Sequence, residues 1–134
     1  MTTTTPKTFF LIDDDPIYQT ISKKIISKFQ PEKTINSFYN GLEAIEKLRT
    51  IESLPDIILL DIEMPVMDGW DFMKQFNELK PQFPKEVLVY IVSSSIAADD
   101  QMRAKAFPSI SGYFSKPLTA ETISEITNHR NVLE

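Results

Sequence analysis

Three consecutive carboxylates, Asp13, Asp14 and Asp15, follow directly on the apolar run FFLI. A fourth, Asp61, closes a second apolar run, DIILL, and three serines, Ser93, Ser94 and Ser95, close a third, VLVYIV. Lys116 stands just past a further run, GYF, and immediately before Pro117. Clustered carboxylates repel one another at low dielectric, so a site built from them implies a counter-ion. Oxygen donors select a hard cation, and magnesium is the one that keeps several waters and works beside phosphates. A carboxylate held there can attack phosphorus to give an aspartyl-phosphate, with the metal and a lysine neutralising the transferring oxygens. The parts match phosphoryl transfer.

Those residues work together only if the chain brings the ends of its apolar runs to one rim. Five short runs, FFLI from Phe9, TINSF from Thr34, DIILL from Asp56, VLVYIV from Val87 and GYF from Gly112, alternate with amphipathic stretches, the pattern of βα units around a parallel sheet. Runs one, three and four are apolar on consecutive residues, as central strands covered on both faces must be, whereas TINSF reads as an edge. Ligands of open α/β sheets bind outside the carboxyl ends of the strands, and that is where the polar residues lie.

The intervening helices follow from spacing and caps. Ile17, Ile21, Ile25 and Phe29 predict one apolar stripe on a first helix opened by Pro16. Leu42, Ile45 and Leu48 predict a second, capped by Asn40 and stopped before Pro55, and Phe72, Met73, Phe76 and Leu79 a third that ends before Pro81. A weakly apolar fourth runs near Ala98 to Ala106 before Pro108, and Thr119 caps a fifth bearing Ile123 and Ile126, with Glu121 complementing its dipole.

Composition narrows the function classes. With 134 residues, 42% apolar and 25% charged, the chain has the size and make-up of one globular domain. A net charge of −5 argues against a nucleic-acid binder, which carries a basic face. The absence of cysteine removes disulfide and thiolate chemistry and suits a cytoplasmic setting. The amino-terminal apolar run is too short for a signal segment or a membrane span.

The motifs LIDDDP, PDIILLDIEMPVMDG, VSSS and the KP of Lys116 and Pro117 resemble the receiver domain of bacterial response regulators over roughly Thr8 to Asn128. The second motif, an apolar strand ending in Asp with MP and DG following, is the most specific. The resemblance implies a flavodoxin-like, doubly wound α/β fold: a five-stranded parallel sheet of order 2-1-3-4-5 with helices on both faces. It implies Asp61 as phosphoacceptor, Asp14 as a direct magnesium ligand, Asp13 assisting through water, and the backbone carbonyl of Glu63 completing the metal set. Lys116 and Ser93 would contact phosphoryl oxygens, Tyr113 would be the switch aromatic, and Pro117 resembles the family's cis-proline, while the residues themselves leave that bond open between cis and the default trans. Counting from VLVYIV places the hydroxyl at Ser93, counting back from Lys116 places it at Ser94, and we take Ser93 because it directly follows the apolar strand. The loop AFPSISGY, with Pro108 and no glycine where many relatives have one, departs from the pattern.

Plainer roles compete at several positions. Asp15 reads as the cap of the first helix, Asp68 and Gly69 as a turn into the third, His129 as a surface residue, and Trp70 as either a lid on the metal rim or a surface residue. The expected organisation is a flexible segment at residues 1–7, a receiver domain at 8–128 and a tail at 129–134. The function this implies is a stand-alone cytoplasmic response regulator, a switch more than an enzyme, with slow self-dephosphorylation. It would accept a phosphoryl group at Asp61 from a sensor histidine kinase or a histidine phosphotransfer protein, with Mg2+, and signal to a protein target without binding DNA or a membrane. The alternatives are a degenerate receiver that only binds proteins and an aspartyl-phosphate phosphohydrolase; the latter wants DxD where this chain has Asp61, Ile62 and Glu63.

Overall fold

A computed structural model describes residues 8–50, 52, 54–64, 66–94 and 98–133. Strands β1 (Thr8–Ile12), β2 (Thr34–Phe38), β3 (Ile57–Leu60), β4 (Leu88–Ser93) and β5 (Ile110–Ser115) alternate with helices α1 (Pro16–Phe29), α2 (Gly41–Leu48), α3 (Gly69–Leu79), α4 (Ala98–Lys105) and α5 (Ala120–Leu133). A 3-10 turn, Lys80–Gln82, follows α3 where Pro81 stops it. The sheet is parallel throughout, as the alternation of runs predicts, and its order β2-β1-β3-β4-β5 is the one the resemblance implies.

Two apolar cores sandwich the sheet. Phe10, Ile12, Ile58, Leu60, Val89 and Ile91 meet α2, α3 and α4 through residues such as Ile45, Phe72, Phe76 and Ala104. The alternate residues Phe9, Leu11, Ile57, Leu59, Leu88 and Tyr90 meet α1 and α5 through Ile26, Ile123 and Ile126. This period-two division is why the central strands are apolar at every position. Asp15, Asn40 and Asp68 cap α1, α2 and α3, and Thr119 Oγ1 accepts from the Thr122 amide at the start of α5. The Lys116–Pro117 bond is cis.

The stripe expected on α1 is corrected. Ile17 is 70% exposed, with Ile21 and Phe29 also at the surface, and the buried line instead runs through Gln19 and Ile26. Positions four apart drift steadily around a 3.6-residue helix, and the inward line was hidden because its first member is a polar residue. Leu42 of α2 is likewise exposed while Ala44, Ile45 and Leu48 are buried. Trp70 is not a surface residue: it is 4% exposed, stacked on Phe107 at 5.8 Å, with the Arg103 guanidinium 4.9 Å above its ring, and it shares a cavity wall with Glu63. The expectations for residues 1–7, Ser95 and the side chain of His129 fall outside the described residues.

Candidate phosphoryl and metal site

The carboxyl ends of β1, β3, β4 and β5 deliver the site. The Asp61 amide donates to Ile12 O at 2.9 Å and the Lys116 amide to Ser93 O at 2.9 Å, so sheet pairing continues one residue past each strand and fixes where these side chains start. The acidic turn is held in the same way, its Asp13 amide donating to Phe38 O at 3.0 Å. Asp13 Oδ1 accepts from the Asp15 amide at 2.9 Å, and Asp15 Oδ1 accepts from the Ile17 amide at 2.9 Å. Asp15 is thus spent as a helix cap, which leaves Asp13 and Asp14 for the rim.

Asp13, Asp14 and Asp61 each offer a carboxylate oxygen, and these lie within 4.8 Å of one another. Lys116 Nζ sits 2.7 Å from Asp13 Oδ2 and 3.4 Å from Asp61 Oδ2, and 4.1 Å from the centre of the Tyr18 ring. Burial is the main reason the Asp61 carboxyl is pushed up from 3.8 to about 6; the Lys116 charge works against this, Asp13 adds to it, and the Glu63 amide at 3.3 Å opposes it. Burial works to lower the Lys116 pKa, but its hydrogen bond to Asp13 and the charges of Asp61 and Asp13 carry it upward instead. One ammonium therefore faces a cluster of carboxylates that repel each other. Three hard oxygen donors at this spacing, one of them exposed on Asp14, fit a small divalent cation.

The remaining candidates fall around this centre. Ser93 ends β4 with no exposed surface and is in register with Ser115, whereas Ser94 is exposed. Tyr113 is half-buried on β5 against the core under α4. Glu63 is exposed in the β3–α3 loop. Sequence reasoning missed Tyr18 and Gln19, both in the first turns of α1 beneath the rim. The only signal for Gln19 was a polar residue two places from an isoleucine on either side. Gly69 is more than a turn residue: a Cβ there would stand 2.6 Å from Ile62 Cα, and its amide donates to Ile62 O at 3.0 Å. Only glycine lets α3 start this close behind Asp61.

A family model for the response regulator receiver domain matches residues 9–128. A two-component response regulator from Cytophaga hutchinsonii superposes with a TM-score of 0.87 at 32% identity, over 98% of this chain and 100% of that one. Among curated proteins, a sensor histidine kinase CheAY of Helicobacter pylori is 30% identical over 92% of this chain. A probable C4-dicarboxylate response regulator DctR of Halalkalibacterium halodurans is 31% identical over 84% of it. The chain spans only 15% and 46% of those two proteins' lengths. Among the described residues no helix is long and apolar enough to cross a membrane.

Proposed function

The chain belongs to the response regulator receiver domain family, and from that premise we propose that it takes a phosphoryl group from a phosphohistidine donor onto Asp61. The observation that carries this reading is the contact of Lys116 with both Asp13 and Asp61 beside a third carboxylate. An Asp61 oxygen attacks phosphorus, the bond from phosphorus to the donor's imidazole nitrogen breaks, and the imidazole leaves with the electron pair. Lys116 is close enough to follow a phosphoryl oxygen on Asp61, exchanging a carboxylate partner for it. The Ser93 hydroxyl, at the end of the neighbouring strand, is the donor assigned to another oxygen.

Asp14 and Asp61 would hold Mg2+, with Asp13 assisting and the Glu63 carbonyl as a further donor. Bound there, the ion supplies charge neutralisation for the transferring oxygens. The raised Asp61 pKa supports the fit, since a carboxylate whose charged form is penalised by burial gains from a cation beside it.

The conformational signal would pass by Ser93 closing on the new phosphoryl group and Tyr113 turning inward, because only contacts that differ between the two states can shift their balance. The output goes to a protein partner in the cytoplasm rather than to DNA, in keeping with the charge of −5. A match to a sensor histidine kinase over most of the chain supports the histidine donor. The test is incubation with Mg2+ and acetyl phosphate followed by intact-mass measurement. A gain of one phosphoryl group that Asp61→Asn abolishes is expected, and an unchanged mass in the wild-type protein would overturn the reading.

A further inference from the structure

We propose that Gln19 is a positioning residue for the acidic turn. It holds the turn from within the fold, through its amide nitrogen. This rests on the reading of Asp61 and its neighbours as the acceptor site.

Gln19 lies on α1 with 2% of its surface exposed. Its Nε2 donates to Leu11 O at 3.1 Å, Asp13 O at 3.1 Å and Phe38 O at 2.9 Å. Two N–H groups are thus shared among three carbonyls, one at the end of β1, one inside the acidic turn and one at the end of β2. Phe38 O also receives the Asp13 amide, so side chain and backbone converge on one acceptor. A single side chain ties the loop that carries Asp13, Asp14 and Asp15 to two strands and a helix.

The orientation of that amide is settled by its partners. Turned over, its oxygen would face three carbonyl oxygens, which repel it. The oxygen Oε1 therefore points away from them, and it has no hydrogen-bond partner among the described residues. A buried amide oxygen left so is costly. Gln19 also forms part of the wall of a small cavity of about 20 Å3, shared with Ser22, Asp13, Asp61 and Lys116.

Groups that orient metal-bearing side chains cost on the order of 10–100-fold in metal affinity when removed. Gln19→Met keeps the length and bulk and removes both polar ends. Ile26→Val, on the same helix and fully buried, is the control for a general loosening of α1. The probes are Mg2+ alone, by calorimetry, and backbone amide exchange of Asp13 and Asp15 without metal. Gln19→Met is expected to weaken Mg2+ about tenfold and to speed that exchange, with Ile26→Val moving neither. Equal changes in both variants, or none in Gln19→Met, would overturn the proposal. Should Gln19→Met not fold, Gln19→Asn, which withdraws the amide by one methylene, gives the same comparison with the same expected loss. If the wild-type protein binds no Mg2+, the acceptor-site reading falls, while the metal-free exchange still decides the positioning role.

Discussion

As the proposed phosphoacceptor, Asp61 would combine two demands that oppose each other: it would have to be ionised to act as a nucleophile, and it is 5% exposed beside Asp13. Its pKa is raised in the folded protein, from 3.8 to about 6, so between those values the folded state holds a proton that the unfolded state has released. Stability from this group is therefore complete below about pH 4 and is lost as pH rises through about 6. In metal-free protein Asp61→Asn is expected to be more stable than wild type at pH 7.5, by an amount on the order of 2 kcal/mol. The advantage should shrink toward zero near pH 4, as read by urea melts across that range. Wild type as stable as the variant at pH 7.5 would contradict this. The same sign makes protons compete with magnesium, so Mg2+ affinity is expected to fall as pH drops below about 6. The acidic residues and Lys116 were legible because polar groups ending apolar strands stand out. Tyr18 and Gln19 were not, since nothing in a helical stretch marks which side chains turn under a rim formed by other strands.

The β1–α1 and β3–α3 loops each solve a local geometric problem for the site. In the first, adjacent aspartates divide the work: Asp15 closes on the Ile17 and Tyr18 amides, while Asp14 remains at the rim. Asp15→Ala is expected to cost about 1 kcal/mol of stability with Mg2+ affinity nearly unchanged, and Asp14→Ala to abolish Mg2+ binding at little cost in stability. Calorimetric titration of both variants checks the division, which equal losses of affinity would break. In the second loop, Val66 holds φ 71° with 91% of its surface exposed. A β-branched residue in that region is strained by about 1–2 kcal/mol. Val66→Gly relieves the strain at some entropic cost and is expected to raise stability by about 0.5 kcal/mol with no change in Mg2+ affinity; lower stability would show that Val66 makes contacts that outweigh its strain. Element order and most caps were readable in the sequence, since Pro, Asp, Asn and Thr mark ends by local chemistry. The buried face of α1 was not, because Gln19 faces inward by virtue of carbonyls from β1, the acidic turn and β2 that are 6 to 19 residues away in the chain.

At the scale of the whole molecule, parallel strand order places four strand ends on one rim, and the two cores make that rim rigid enough to hold like charges together. The order 2-1-3-4-5 was foreseen through the resemblance, and the layer arrangement through strands that are apolar at every position. On the proposed function, the assembled rim would accept a phosphoryl group at Asp61 and at no other carboxylate of the cluster. The most direct measurement is reductive trapping, in which the protein is treated with Mg2+ and acetyl phosphate, reduced with borohydride and mapped by peptide mass spectrometry. An aspartyl-phosphate is reduced to homoserine, which marks its position. The account predicts homoserine at position 61 alone, and none without the phosphodonor. Homoserine at position 13 or 14, or none at 61 in protein that has gained a phosphoryl group, would contradict it.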